Sequence, residues 1–108
     1  MTAITDDFVE RLEQRAQEAE QLRRLPNTTV KELERSGFTE LLKPRGYGGQ
    51  QAEFTALFDP VRRMAHGCAS TAWTAAFYTL HTWMLSLFDE RAQAEGFATQ
   101  PFLASAPL

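Results

Sequence analysis

The stretch MAHGCASTAWTAAFYTLHTWMLSLF, residues 64–88, contains no Asp, Glu, Lys or Arg, although charged residues make up 23% of the chain. A membrane could bury it, because about twenty apolar residues span a bilayer. However, seven polar side chains would then lie in hydrocarbon, where a histidine in particular is costly: Ser70, Thr71, Thr74, Thr79, His81, Thr82 and Ser86. The sequence therefore favours a long helix that is buried on all sides within a larger helical protein.

The length and charge of the whole chain limit what it can do. Its 108 residues, 44% of them hydrophobic, suffice for one core but leave little room for a deep cofactor cleft. If the chain belongs to an enzyme, we therefore expect it to be only one part of that enzyme. Fourteen acidic and eleven basic residues give a net charge of -3. Without a Lys and Arg surplus to neutralise phosphates, nucleic acid is excluded as a partner.

Cysteine and histidine usage restricts the compartment and the chemistry. Cys68 is the only cysteine, so an internal disulfide and a thiolate metal cluster are both excluded. His66 and His81 are fifteen residues apart with no carboxylate between them, which is not the spacing of a helical metal site. The first twenty residues lack the basic start and apolar run of a signal peptide. We therefore expect a cytoplasmic protein with no metal centre.

The N-terminal third of the chain predicts two helices. The first runs from Thr5 to Arg24 around a narrow apolar stripe, and Pro26 should end it because a proline disfavours helical geometry in the residue before it. In the second, Thr29 and Glu32 have the spacing of a capping box. Gly37 is then expected to adopt the left-handed backbone conformation that ends this helix.

The remaining elements complete an all-α fold of about five helices. The glycine-rich loop Arg45–Gly49 has neither the Walker nor the dinucleotide spacing, which predicts a plain tight loop. A third helix is predicted over Ala52–His66, with Pro60 in its first turns or dividing it. The uncharged stretch provides the fourth, and Asp89–Glu95 a short fifth. The uncharged residues 97–108 are expected to be irregular and to continue into another structural element.

One sector of the long helix forms a candidate site. At about 100° per residue, an aromatic stripe shares this sector: Ser70, Trp73, Phe77, Leu80, His81, Met84 and Phe88. His81 is its only ionisable side chain and has two interpretations. It is either a core histidine bonded to a backbone carbonyl, or a general base. Burial disfavours the imidazolium form, so the ring would stay neutral near pH 7 and accept a proton from a phenolic substrate.

Three segments resemble a known family. They are AEQLRRLPNTTVKELERSGF at 19–38, LLKPRGYGG at 41–49 and GCASTAW at 67–73. In this order they resemble the N-terminal helical domain of the acyl-CoA dehydrogenase fold. Within that fold the first and third segments are most similar to the oxygenase components of two-component flavin-dependent monooxygenases, such as p-hydroxyphenylacetate hydroxylase and the secosteroid hydroxylase of bacterial steroid degradation. The middle segment is shared with the dehydrogenases.

The resemblance implies a mechanism and site residues. Reduced flavin, FMN or FAD, would come from a separate flavin reductase and use O2 to hydroxylate a phenolic ring. His81 matches the family's pocket histidine and would bind or deprotonate the phenol, with Trp73 and Phe77 as substrate-binding neighbours. Leu103 and Ser105 resemble the start of the family's middle β-domain, where they would either line the pocket or belong to a linker.

The resemblance also implies a domain organisation. Residues 1–98 would form the N-terminal helical domain, and residues 99–108 would begin the connection to a middle β-domain. That β-domain and a C-terminal four-helix bundle are absent from this chain, and in the family they hold most of the flavin within a homotetramer. Two alternatives stay open. One is a dehydrogenase of the same fold acting on an acyl thioester, and the other is a non-catalytic helical module whose aromatic stripe binds a partner.

Overall fold

Five α-helices account for most of residues 4–98, the part of the chain that the computed structural model describes. They are α1 (Asp6–Leu22), α2 (Asn27–Ser36), α3 (Phe58–Gly67), α4 (Ala69–Leu85) and α5 (Glu90–Gly96). Short 3-10 helices at Phe38–Glu40, Arg45–Tyr47 and Phe54–Leu57 lie between α2 and α3. Residues 4–98 contain no strand, so the prediction of an all-α fold with about five helices is confirmed for this part of the chain.

Helix α1 begins where the sequence predicts and ends slightly earlier. The Thr5 side chain accepts a 3.1 Å hydrogen bond from the backbone N–H of Phe8, which caps the first turn. At the other end Arg23 adopts the left-handed conformation with φ 56°. The helix therefore stops at Leu22, and Pro26 becomes the residue before α2.

The capping box predicted for α2 is wrong. Helix α2 begins at Asn27, so Thr29 already lies inside its first turn, where the side chain is buried and accepts a 3.4 Å hydrogen bond from Arg15. Glu32 does not reach back to the helix start, because Arg11 and Arg15 of α1 bind its carboxylate at 2.9 and 2.7 Å. Glu32 therefore forms ion pairs with α1 and does not cap the start of its own helix.

The glycine-rich loop forms a tight turn, as predicted. After Gly37 ends α2 with φ 82°, the chain folds back so that the N–H of Gln51 donates to the carbonyl of Lys43 at 2.9 Å. A Cβ at Gly49 would lie 2.1 Å from that same carbonyl oxygen. The close approach of two backbone segments therefore requires glycine there.

The helix predicted over Ala52–His66 is divided. A 3-10 helix at Phe54–Leu57 precedes α3, and α3 itself starts at Phe58. Pro60 lies in the first turn of α3, where a missing backbone N–H costs nothing because it would have no partner within the helix. The sequence left open whether Pro60 lies in the first turns of this helix or divides it; in the structure the division falls before Phe58, and Pro60 lies in the first turn of the second part.

Within residues 4–98 helix α4 is buried mainly on one side, and its burial on all sides within a larger helical protein stays a prediction. Its buried side consists mainly of small residues: Thr71, Ala72, Ala75, Thr79 and Thr82. The Thr79 hydroxyl donates to the carbonyl of Phe38 at 3.2 Å, which links the helix to the core. Trp73 is 69% exposed, and Met84, Leu87 and Phe88 are also exposed. No helix within residues 4–98 combines the length and hydropathy of a membrane span.

Helix α5 packs beside the C-terminal end of α4. The Asp89 side chain caps it by accepting a 2.8 Å hydrogen bond from Ala92 N–H. Gln93 Nε2 donates to the carbonyls of Ser86 and Phe88, which closes the end of α4. Phe97, directly after α5, is buried. Residues 99–108, which the sequence predicts to begin the connection to a β-domain, lie outside the described residues.

Candidate functional site

One side of α4 forms an aromatic face, which we define as Trp73, Phe77, Leu80, His81 and Met84. These residues recur every three or four positions and therefore lie on one side of the helix. The small Thr and Ala side chains occupy the opposite side and face the core. Tyr78, Leu80 and Trp83 pack against the edge of the core, whereas Trp73 and Met84 are exposed.

Three rings of the aromatic face contact one another in series. The ring centroids of Trp73 and Phe77 are 4.9 Å apart with planes at 55°, and those of Phe77 and His81 are 5.5 Å apart at 45°. Each pair is separated by four residues, the spacing at which helical side chains meet. The three rings therefore form a ladder that extends about 12 Å along the helix.

His81 lies at the inner edge of this ladder. Its side chain is buried, with 7% of the residue exposed, whereas Trp73 at the other end is largely exposed. The position fits both interpretations that the sequence left open. The imidazole is buried like a core histidine, and it also contacts the half-buried ring of Phe77. The structure thus brings together His81, Trp73 and Phe77.

The remaining predicted site residues have different outcomes. Leu103 and Ser105 lie outside the described residues, so their role stays a prediction. Ser70 is exposed in the first turn of α4, and Phe88 is exposed three residues after the end of that helix. No sequence pattern identified a second aromatic group, in which Phe54 contacts Trp83 at 4.9 Å and Phe58 at 6.1 Å between ring centroids. This group depends on the contact between Phe54 and Trp83, which are 29 positions apart in the sequence. Helical periodicity predicts only contacts within one helix.

Charge is absent from the candidate site. Residues 64–88 contain no Asp, Glu, Lys or Arg, and the ion pairs of α3 lie elsewhere, with Arg63 bound to Asp6 at 2.8 Å. Within residues 4–98 no group of three His, Cys, Asp or Glu side chains is arranged to hold a metal ion. The aromatic face therefore suits a flat, uncharged or weakly polar ring, and His81 is its one ionisable side chain.

The aromatic face supplies one wall of such a site. Trp73 and Met84 are open to solvent, and a ring placed on them would be covered from one side only. Small-molecule sites normally bury most of their ligand. A second wall is needed to exclude water from a ring bound at His81.

The chain is similar to proteins of known activity. Residues 2–100 match the family described as "Acyl-CoA dehydrogenase, N-terminal domain". The oxygenase subunit HsaA of a flavin-dependent monooxygenase from Mycobacterium tuberculosis (strain H37Rv) is 42% identical over 99 residues, which cover 92% of this chain and 25% of the relative. The oxygenase component of an FADH(2)-dependent resorcinol hydroxylase from Rhizobium sp. (strain MTP-10005) is 36% identical over 86 residues, covering 80% and 21%.

A solved structure shares the fold described above. The crystal structure of the HsaA monooxygenase from M. tuberculosis superposes with a TM-score of 0.84 at 43% identity, over 89% of this chain and 26% of that one. The chain thus spans about a quarter of the length of the curated relatives it matches.

Proposed function

Because this chain belongs to the family of the acyl-CoA dehydrogenase N-terminal domain, we propose that it is the N-terminal domain of a flavin-dependent monooxygenase, as the oxygenase component that hydroxylates a phenolic substrate. The observation that carries the proposal is the ladder of Trp73, Phe77 and His81 on an uncharged face of α4. The names of the relatives, an HsaA oxygenase subunit and a resorcinol hydroxylase, support the reaction class.

Each residue of the ladder has a role in this proposal. Trp73 and Phe77 contact the flat ring of the substrate and orient it along α4. His81 accepts the proton of the phenolic O–H, or a hydrogen bond from it, which raises the electron density of the ring carbons that are hydroxylated. General-base assistance of this kind contributes about 10²–10⁴ in rate.

The aromatic face fits a ring system but offers no cation for a flavin phosphate. A Lys, Arg or backbone N–H cluster normally binds a phosphate, and residues 64–88 carry no Lys or Arg. The resemblance to two-component oxygenases supports assigning most of the flavin binding, FMN or FAD, to parts of the protein outside residues 4–98. When bound, the reduced flavin supplies activated oxygen to the substrate ring.

The proposal extends to the complete protein. Residues 1–98 form its N-terminal helical domain, and residues 99–108 begin the connection to a β-domain, with Leu103 and Ser105 near the pocket. A flavin reductase supplies reduced flavin, O2 is the co-substrate, and the active form is a homotetramer in the cytoplasm. The resemblance to two-component oxygenases is the support for these assignments.

A dehydrogenase acting on an acyl thioester is the second candidate, because the matching family is described by that activity. The hydroxylase and the dehydrogenase differ in the substrates that they require. The hydroxylase requires reduced flavin, O2 and a phenol, whereas the dehydrogenase reduces its flavin with an acyl thioester and requires no O2. An anaerobic assay with acyl-CoA therefore separates them.

The test compares His81→Ala and His81→Asn with the wild type in the complete protein, supplied with a flavin reductase and a panel of phenols. We expect hydroxylation to fall by about 100-fold or more, with flavin affinity nearly unchanged. His66→Asn is the matched control, since His66 is the other histidine and lies exposed on α3. Unchanged hydroxylation in the His81 variants would remove His81 from the mechanism, and acyl-CoA oxidation without hydroxylation would favour the dehydrogenase.

A further inference from the structure

A cleft of about 300 Å³ lies between the C-terminal end of α1 and the first turns of α4. Its buried lining residues, Ala19 and Leu25, are apolar. The polar side chains that line it are Glu20, Arg23, Arg24, Ser70 and Thr74. The cleft therefore combines two cations from the end of α1 with two hydroxyl groups from α4 and a single carboxylate.

The two arginines give the cleft a net positive charge. Within residues 4–98 the Arg23 side chain has no hydrogen bond or ion pair. Arg24 uses one terminal nitrogen, Nη1, to donate to the Leu25 carbonyl at 3.3 Å and to Oδ1 of Asn27 at 3.0 Å. Because a guanidinium group carries five N–H donors, Arg24 keeps donors for a ligand. Glu20 offsets one of the two positive charges, so the cleft suits a ligand group with one negative charge.

The hydroxyl side of the cleft belongs to the same row of residues as the ladder. Ser70, Thr74, Phe77 and His81 follow one another at intervals of four, three and four positions, which places them along one side of α4. Phe77 and His81 are two rings of the ladder, with centroids 5.5 Å apart. The cleft therefore lies at the N-terminal end of the side of α4 that we assign to the substrate.

The length of this row limits the ligand that can occupy both of its ends. Thr74 and His81 are seven residues apart, which is about 10 Å along the helix axis. A phenol with its hydroxyl at His81 and its ring on Phe77 would bring a carboxylate at the end of a short aliphatic chain to Thr74 and Arg23. Guanidinium groups bind carboxylates with paired N–H donors, and Ser and Thr hydroxyls donate to the same kind of oxygen.

We propose that this cleft binds the carboxylate of an acidic phenol and makes the protein selective for phenols with a carboxylate-bearing side chain. The inference rests on the proposed function, because it places the phenolic end of the ligand at His81. Arg23 and Arg24 bind the carboxylate oxygens, and Ser70 and Thr74 donate hydrogen bonds to them. A flavin phosphate is the other anion with this chemistry, but a phosphate monoester carries close to two negative charges at pH 7 and fits the net charge less well.

The first measurement is isothermal titration calorimetry at pH 7 on the complete protein without flavin, with p-hydroxyphenylpropanoate and with its primary amide. The amide has the same length but no charge. We expect the wild type to bind the acid about tenfold more tightly than the amide, and Arg23→Gln to lose about five- to tenfold in affinity for the acid alone. Glu20→Gln should bind the acid about twofold more tightly, because it removes a repelling carboxylate.

Arg45→Gln is the matched control, because Arg45 is an exposed arginine that does not line the cleft. It removes the same charge from the protein and should leave both affinities unchanged. Equal affinities of the wild type for the acid and the amide would overturn the inference, and so would equal losses in Arg23→Gln and Arg45→Gln.

A flavin titration separates the two anions. It compares FMN with riboflavin, which lacks the phosphate, in the wild type and in Arg23→Gln. We expect the affinities for both flavins to be unchanged by the substitution. A loss of FMN affinity alone, with no loss for the acid, would assign the cleft to the phosphate and overturn the inference.

The second measurement is steady-state hydroxylation of the same two phenols. The carboxylate is bound alike in the ground state and in the transition state, so Arg23→Gln should raise KM for the acid by about five- to tenfold and change kcat less than about twofold. KM for the amide should stay the same. A purely structural role of Arg23 would affect both phenols alike.

The outcomes separate this inference from the proposed function. Hydroxylation of the acid and the amide with equal KM, or of other phenols but not of the acid, would overturn the carboxylate site alone. If the wild type hydroxylates no phenol, the proposed function and the link to the substrate both fail. The titration with Arg23→Gln then decides by itself whether the cleft binds a carboxylate.

Discussion

Gly67, at the end of α3, lies so close to Val9 of α1 that a Cβ on residue 67 would be 2.4 Å from the Val9 carbonyl oxygen. The atom in the way belongs to the backbone and cannot rotate aside, so any larger residue must push the two helices apart. Gly67 therefore sets the distance at which α1 and α3 cross.

Gly67→Ala should destabilise the domain by about 1–3 kcal/mol, the usual cost of forcing extra volume into a packed interface. Urea denaturation of the 108-residue chain measures the effect as a lower midpoint. Gly46→Ala is the control, because a Cβ there meets no atom within 4 Å. It should change the free energy of unfolding by less than about 0.5 kcal/mol. Equal midpoints for the two variants would contradict the close crossing.

The ion pairs of Glu32 should make stability depend on pH. Burial raises the pKa of Glu32, but the hydrogen bonds and charges of Arg15 and Arg11 outweigh it and hold the pKa below its ordinary value. A carboxyl group with a lowered pKa in the folded state stabilises the fold above its unfolded pKa, about 4.3. That stabilisation disappears as the pH falls through the lower pKa of the folded state.

We expect Glu32→Gln to lower the free energy of unfolding by about 1 kcal/mol at pH 7, since Arg11 is partly exposed and solvent screens its share. The difference from the wild type should shrink toward pH 3. Urea denaturation at both pH values measures it, with Glu13→Gln, an exposed position on α1, as the control. A difference that stays constant between pH 7 and pH 3 would show that the charge of Glu32 is not involved.

The two sides of α4 should respond differently to substitution. Trp73→Ala removes the larger side chain but an exposed one, so the free energy of unfolding should change by less than about 0.5 kcal/mol. Thr79→Val keeps the volume but removes the hydrogen bond to the buried Phe38 carbonyl, which should cost about 1–2 kcal/mol. Thermal or urea denaturation of both variants provides the comparison. A loss of several kcal/mol in Trp73→Ala would place Trp73 in the core.

Local signals in the sequence predicted the helices well, and the errors arise where distant residues decide. Gly37 ends α2 through its own backbone conformation, which depends on that residue alone. The Thr29 and Glu32 pattern failed because Arg11 and Arg15, some twenty residues away, bind the carboxylate more strongly than a local N–H does. A pattern of neighbouring residues around Glu32 does not include these two arginines and therefore cannot predict the ion pairs.

The candidate site was predicted in its composition but not in its exposure. Helical periodicity placed Trp73, Phe77 and His81 on one side of α4, and the ring contacts confirm it. The absence of charge predicts burial on every side within a larger protein, whereas in residues 4–98 the core packs mainly against the Thr and Ala side. Composition reports how apolar a helix is, whereas the choice of the packed side depends on the shapes of neighbouring helices.

The division of α4 into a small packed side and a large open side assigns two tasks to separate sets of residues. The helix is packed into the domain by Thr71, Ala75 and Thr79. Its contacts with the core depend little on Trp73, Phe77 and Met84. Substitutions among the second set can alter the shape and polarity offered to a ligand without unfolding the protein. A lineage of such domains can thus diversify in what it recognises while its framework stays constant.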